Sequence, residues 1–310
     1  MNAVVVDRAA PAGLVLAPVP DPEPRAEEAL IRVAAVSLNL GEIRRARAAA
    51  DGWRPGWDFA GVVERAAADG TGPPAGARVV GMQPGSGAWA ERIASASRNL
   101  AVLPAGVSFE RAATLPVAGL TALYALDKRG SLLGKKVLVT GASGGVGIFA
   151  LQLARIAGAH ATGLVHRKEK RAVVEPFANC CLVGETADCT HDIGPFDLVL
   201  ESVGGDVFAS ALRQLAVDGL LVTYGTSAER TSTVEVATFY AGGGQAIYGF
   251  ILFHELARHP AGVGLARLTS LLDDGKLDVH IDDVLPFAQI GAAAERLWSR
   301  GVTGKIVVTL

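Results

Sequence analysis

The chain has 310 residues, half of them hydrophobic, with 29 Lys and Arg against 31 Asp and Glu and a net charge of −2. That length is generous for one core and points to two domains. No apolar run approaches the ~20 residues a membrane helix needs, no basic block marks a nucleic-acid surface, and three cysteines are too few for a disulfide framework. The opening MNAVVVDRAAPAG lacks a basic segment followed by an apolar one, so a cytoplasmic protein is expected.

Residues 1–110 lack helical periodicity. Short β-like runs at 3–6, 30–36, 61–64, 77–82, 89–94 and 100–103 alternate with turn-formers such as PVPDPEP and DGTGPPAG. A barrel-like β domain with one helical insertion near 40–50 is expected. A capped helix begins at Ser108, and residues 115–128 lead into KKVLVTGASGGVGIFALQLARIAGA at 135–159. There Val137, Leu138 and Val139 suit a buried parallel strand. A glycine turn follows, and then a helix that ends at Gly158. Such a turn lets backbone amides and the positive end of the helix dipole meet a pyrophosphate, which makes it a dinucleotide site. Cofactor contacts are therefore expected at Ala142, Ser143, Gly144, Gly145, Val146 and Gly147.

Two glycine fingerprints overlap here. As G-x-G-x-x-G, the run has Ala142 in the first glycine position, followed by Gly144 and Gly147. As T-G-x-x-x-G-x-G, residues 140–147 fit the short-chain dehydrogenase pattern, and Tyr124 with Lys128 even supplies Y-x-x-x-K. In that family, however, the glycine turn lies near the N-terminus and the Tyr/Lys pair downstream. Here the pair comes first, which reads as one face of a helix.

Strand and helix then alternate. Strands are expected at 161–165, 180–183, 196–201 and 219–225, helices at 168–176, 205–216, 261–273 and 289–298, and a last strand in GVTGKIVVTL. Alternating units of this kind build a parallel sheet whose ligands sit at the carboxyl ends of the strands. Adjacent Cys180 and Cys181 point to opposite strand faces and make poor ligands for one ion, even with His191 nearby. Together with Cys189 they read as small core residues.

The ordered motifs PGWDFAGVVE, LPVAGLTA, GASGGVG, ESVGG and GKIVV give the chain a resemblance to the medium-chain dehydrogenase/reductase superfamily, in its zinc-free quinone oxidoreductase and enoyl reductase branch. The resemblance implies an α/β protein with a GroES-like β-rich domain (1–112 and 285–310) and a Rossmann doubly wound parallel-sheet domain (113–284). Where zinc relatives carry cysteine and a His-Glu pair, this chain has Asn39, Leu40, Trp57 and Asp58, so no metal is expected.

Where an NAD enzyme places an acid at the end of the second strand, this chain reads LVHRKEK. His166, Arg167 and Lys170 are therefore expected to hold the 2′-phosphate of NADPH, the alternative being a solvated helix start. By resemblance, Asn39, Thr121 and Phe250 lie near the nicotinamide, Val203, Gly225 and Thr226 line the site at later strand ends, and Lys305 follows the tail glycine. Each has a plain structural alternative.

The reaction implied is hydride transfer to an electron-poor C=C conjugated to a carbonyl, in a quinone, enone or enoyl substrate. No proton donor is assigned: residues 41–56 contain no tyrosine, and Asn39, Asp58 and Tyr248 are weak candidates. Trp53 and Trp57 either line a flat cleft for the substrate or belong to the core. A biosynthetic enoyl reductase acting on a polyketide-like intermediate and a redox-inactive nucleotide-binding relative remain as alternatives. A homodimer through an edge near 233–250 is expected by resemblance.

Overall fold

The computed structural model describes residues 1–310, the side chain of Pro11 excepted, and its contacts divide it into two units, Met1–Leu120 with Leu256–Leu310, and Thr121–Glu255. The first unit holds β1 (Asn2–Val6), β2 (Leu14–Pro18), β3 (Glu28–Ser37), β4 (Asp58–Arg65), β5 (Arg78–Met82), β6 (Arg92–Ala96) and β7 (Leu100–Val102). The second holds β8 (Lys136–Val139), β9 (His160–Val165), β10 (Cys180–Val183), β11 (Phe196–Glu201), β12 (Leu215–Thr223) and β13 (Ala246–Gly249). After Leu256 the chain adds β14 (Ile281–Pro286) and β15 (Lys305–Thr309) to the first unit.

In the first unit the strands run β14-β15-β3-β4-β5-β7, with β6 on β3 and β1 and β2 as a separate ribbon. Its core centres on Ile31, Val36, Phe59, Trp89 and Ile306. The return to this unit comes at Leu256, ahead of the expected residue 285, because helix Ala261–Asp273 packs on β7 and the turn Leu115–Gly119. Gly262 allows that approach, since a Cβ there would crowd the Leu100 carbonyl.

In the second unit all six strands are parallel in the order β10-β9-β8-β11-β12-β13. Chain order reverses between β8 and β11, and in such sheets ligands bind beyond the carboxyl ends at that reversal. Val137, Leu138 and Val139 are wholly buried there, as a sheet covered on both faces requires.

Several sequence expectations shift. The helix expected over 205–216 ends at Arg213, because Leu215 is drawn into pairing with Phe196. The strand expected over 89–94 lies at Arg92–Ala96, while the Trp89 carbonyl and Ala90 serve β1 instead. Of the cysteines, Cys181 alone is buried. Cys180 is half-buried, and Cys189 is exposed in a short turn, its thiol bonded to the Thr186 carbonyl at 3.3 Å. No helix is long and apolar enough to cross a membrane.

Candidate nucleotide site and a buried charge cluster

In the second unit the end of β8 passes through Gly141 (φ +57°) and Ala142, whose N–H donates to the Leu164 carbonyl of β9. Gly144 then caps helix Gly145–Ile156. No side chain caps this helix and no acid stands in its first turn, so its leading amides and dipole are left for an outside anion. A Cβ at Gly147 would lie 2.7 Å from Ala142 Cα, whereas at Gly144 it would meet only the Gly141 carbonyl, at 3.3 Å. One glycine lets the helix sit down on the turn, and the other leaves the approach open. Ser143, Gly145 and Val146 are half-buried.

The neighbouring strand ends complete the cradle. Glu201, missed in the sequence reading, ends β11 fully buried. Its carboxylate accepts the Val203 and Gly204 amides at 2.6 and 2.9 Å and faces the hydroxyls of Thr140 and Thr223 at 3.4 and 3.5 Å. Burial raises its pKa, against the pull of those amides and hydroxyls. The 202–204 turn in turn accepts N–H groups from Ser227 and Ala228 and lies against Gly225, so Gly141–Gly147, Val203, Gly225 and Thr226 gather at one end of the sheet. Beyond β9, His166, Arg167 and Lys168 are exposed, and Arg167 has no ion pair among the described residues. The backbone folds tightly behind it, with Lys170 N–H donating to the Arg167 carbonyl.

The remaining candidates of this unit are Thr121, buried in helix Leu120–Asp127, Phe250, buried just past β13, and Tyr248. The Tyr248 hydroxyl donates to Glu255 at 2.6 Å, and Lys128 donates to the other Glu255 oxygen at 2.5 Å while lying over the Tyr248 ring. Tyr248 thus has its proton committed to a carboxylate. Lys128, half of the would-be short-chain signature, is an ion-pair partner.

In the first unit, Asn39, Asp58 and Lys305 converge, joined by Glu42, which the sequence reading did not single out. Register sets Ser37 of β3 opposite Asp58 of β4, and Val307 of β15 opposite Ser37. Asp58 accepts from the Ser37 hydroxyl (2.9 Å), Asn39 Nδ2 (2.8 Å), the Val117 amide (2.9 Å) and Lys305 Nζ (3.4 Å). Lys305 also donates to the Leu38 carbonyl and Asn39 Oδ1, and Glu42 accepts the Asn39 and Trp57 amides. All three charged side chains are at most 5% exposed. Burial raises the carboxyl pKa values of Glu42 and Asp58 and lowers that of the Lys305 ammonium, whose charge works against those shifts.

This geometry gives Asp58 and Lys305 one another as partners. Asn39 has both amide ends engaged and keeps only spare acceptor capacity on Oδ1. Trp57 is 7% exposed with its ring against Gly41, which makes it core, while Trp53 is half-buried under Arg45. Among the described residues no group of three His, Cys, Asp or Glu side chains is arranged as a metal site.

Residues 25–128 match the alcohol dehydrogenase GroES-like domain, and residues 181–308 match the zinc-binding dehydrogenase family. The chloroplast envelope quinone oxidoreductase homolog of Arabidopsis thaliana is 30% identical over 322 residues, covering 96% of this chain and 94% of that one. The chain belongs to the quinone oxidoreductases of the medium-chain dehydrogenase/reductase superfamily. A quinone oxidoreductase of this superfamily is a pyridine-nucleotide-binding oxidoreductase, in accord with the strand order and the glycine turn. A mycobacterial structure complexed with NADPH superposes with a TM-score of 0.88 at 26% identity over the whole of both chains. The spectinabilin polyketide synthase system protein NorB of Streptomyces orinoci is 32% identical over 98% of this chain and 14% of its own length.

Proposed function

We propose that this oxidoreductase uses NADPH, without zinc, to reduce an electron-poor C=C conjugated to a carbonyl in a quinone, enone or enoyl compound. The observation that carries the reading is the uncapped start of helix Gly145–Ile156 at the strand-order reversal, with Arg167, which has no ion pair among the described residues, beyond the next strand. The amides of residues 143–147 bind the pyrophosphate, and Arg167, with His166 and Lys170 beside it, takes the 2′-phosphate. Val203, Gly225 and Thr226 border the nucleotide, while Thr121 and Phe250 serve the nicotinamide end. The bound cofactor supplies a hydride. The chain positions the acceptor and excludes water, and solvent delivers the proton, because the Tyr248 hydroxyl is tied to Glu255. Where zinc relatives hold their ion, Asn39 and Asp58 are spent on Glu42 and Lys305, which supports chemistry without a metal.

A second reading, a biosynthetic enoyl reductase acting on a polyketide-like intermediate, is favoured by the likeness to NorB across nearly the whole of this chain. Following NADPH absorbance with quinones, α,β-unsaturated ketones and enoyl thioesters tests both. Turnover of enoyl thioesters alone selects the second, and no oxidation despite nucleotide binding marks a redox-inactive relative. We also assign the protein to the cytoplasm, as a homodimer through β13, whose outer side is unpaired and whose Ile247 is exposed. A monomeric mass in light scattering rejects the dimer.

A further inference from the structure

Tyr224 follows directly on β12, at the same end of the sheet as the glycine turn. Its side chain is half-buried, yet its hydroxyl oxygen is closed off from solvent and has no hydrogen-bond partner among the described residues. Tyr248 of β13 shows the usual arrangement, with its hydroxyl on Glu255 at 2.6 Å. A phenylalanine would fill the same space without desolvating an oxygen, so the Tyr224 hydroxyl is a cost that the fold itself leaves uncompensated. Burial holds the phenol in its protonated form. The Ser202 hydroxyl beside it pulls the other way, and the Glu201 carboxyl adds to the effect of burial.

Ser202 links this hydroxyl to the glycine turn. Its backbone is fixed on both sides, since its N–H donates to Thr140 Oγ1 at 3.2 Å and its carbonyl accepts the Ser227 N–H at 2.8 Å. Tyr224 is held against the same stretch, with its N–H on the Glu201 carbonyl at 3.0 Å, and a Cβ on Gly225 would lie 3.4 Å from Ser202 Cβ. Ser202 Oγ is 2.8 Å from where a Cβ on Gly141 would stand, so it borders the first residue of the turn. That side chain is half-buried, and its hydroxyl makes no hydrogen bond among the described residues. Two hydroxyls thus stand side by side, one enclosed and one bordering the turn, and neither has an acceptor within the chain.

We infer that Tyr224 is a positioning residue for the nucleotide: its O–H donates to Ser202 Oγ and so turns the Ser202 proton onto an oxygen of the cofactor's adenosine diphosphate half. The inference rests on the nucleotide reading above and adds two residues to that site. A hydroxyl has one proton and two lone pairs, so a serine that accepts from an enclosed phenol keeps its own proton for the ligand, and each bond polarises the next. The ligand supplies the terminal acceptor that the chain does not.

The test is calorimetric titration of the wild type, Tyr224→Phe, Ser202→Ala and the double variant with NADPH, NADH and ADP, alongside urea unfolding of each nucleotide-free protein. Tyr224→Phe should weaken all three ligands about 3- to 10-fold while its urea midpoint stays level or rises, because the hydroxyl removed had no partner within the chain. Ser202→Ala should weaken them by a similar factor, and the double variant should bind no more weakly than Ser202→Ala. Unchanged affinity in Tyr224→Phe, losses that multiply in the double variant, or losses on the dinucleotides with ADP unaffected overturn the inference. So does a lower urea midpoint for Tyr224→Phe, which would give the hydroxyl a structural bond instead. If the wild type binds none of the three ligands, the nucleotide reading fails and this inference falls with it. Binding by the wild type that the variants leave untouched removes this inference alone.

Discussion

Two polar regions of this molecule, one in each unit, are built from similar materials and end differently. In the first unit, Asn39, Glu42, Asp58 and Lys305 close on one another, and nearly every donor and acceptor is spent inside the protein. In the second, Glu201 binds the amides of Val203 and Gly204, yet the helix start beside it has no side-chain cap and Arg167 has no ion pair among the described residues. Buried charges that satisfy each other hold strands in register. Donors left open at a strand-order reversal are where a ligand enters. The contrast separates a cluster closed on itself from the site proposed to bind the nucleotide without appeal to residue type, since both contain carboxylates, amides and a cation.

The sharpest way to break the contrast is Lys305→Met. If the cation serves only Asp58 and Glu42, its loss strands two buried carboxylates and should cost ~3–5 kcal/mol in denaturant unfolding. A drop in NADPH affinity with stability unchanged would move Lys305 to the cofactor side. Next in size, Arg167→Ala should weaken NADPH binding by ~1.5–3 kcal/mol and leave NADH nearly unaffected. Equal losses for both nucleotides in calorimetry would remove Arg167 from the 2′-phosphate. Gly147→Ala should cost ~1–3 kcal/mol in thermal unfolding and weaken both nucleotides together, since the added methyl pushes the helix off Ala142.

The smallest expected effect concerns pH. Burial raises the Glu201 carboxyl pKa above its unfolded value, so the protonated form is favoured in the fold. Its contribution is therefore complete below the ordinary carboxylate range and is lost as pH rises through the elevated value. Glu201→Gln keeps an oxygen for the two amides and removes the titration. Its stability relative to wild type should rise with pH across the acid-to-neutral range, measured by urea midpoints, and parallel curves would show that Glu201 does not titrate there.

What could be read from the sequence follows the range of the interactions. The glycine turn and the strands at Cys180–Val183 and Phe196–Glu201 are local patterns of apolar residues and glycines, and they lie where expected. β14 went unseen because Asp282 and Asp283 break its apolar pattern, and Arg296 from a later helix neutralises them. The ion pair of Lys305 with Asp58 carries no local signal, because the two lie 247 residues apart. Trp57 looked like a possible cleft wall, and only the fold sets its ring against Gly41. Glu201 carries no local signature and becomes notable through the turn it folds around itself.

The most direct test of the central claim is calorimetric titration of folded, nucleotide-free protein with NADPH and then with NADH. An open glycine turn with the exposed Arg167 beyond the next strand predicts one NADPH per chain, bound about tenfold or more tighter than NADH. No NADPH uptake, or equal affinity for the two nucleotides, would contradict it.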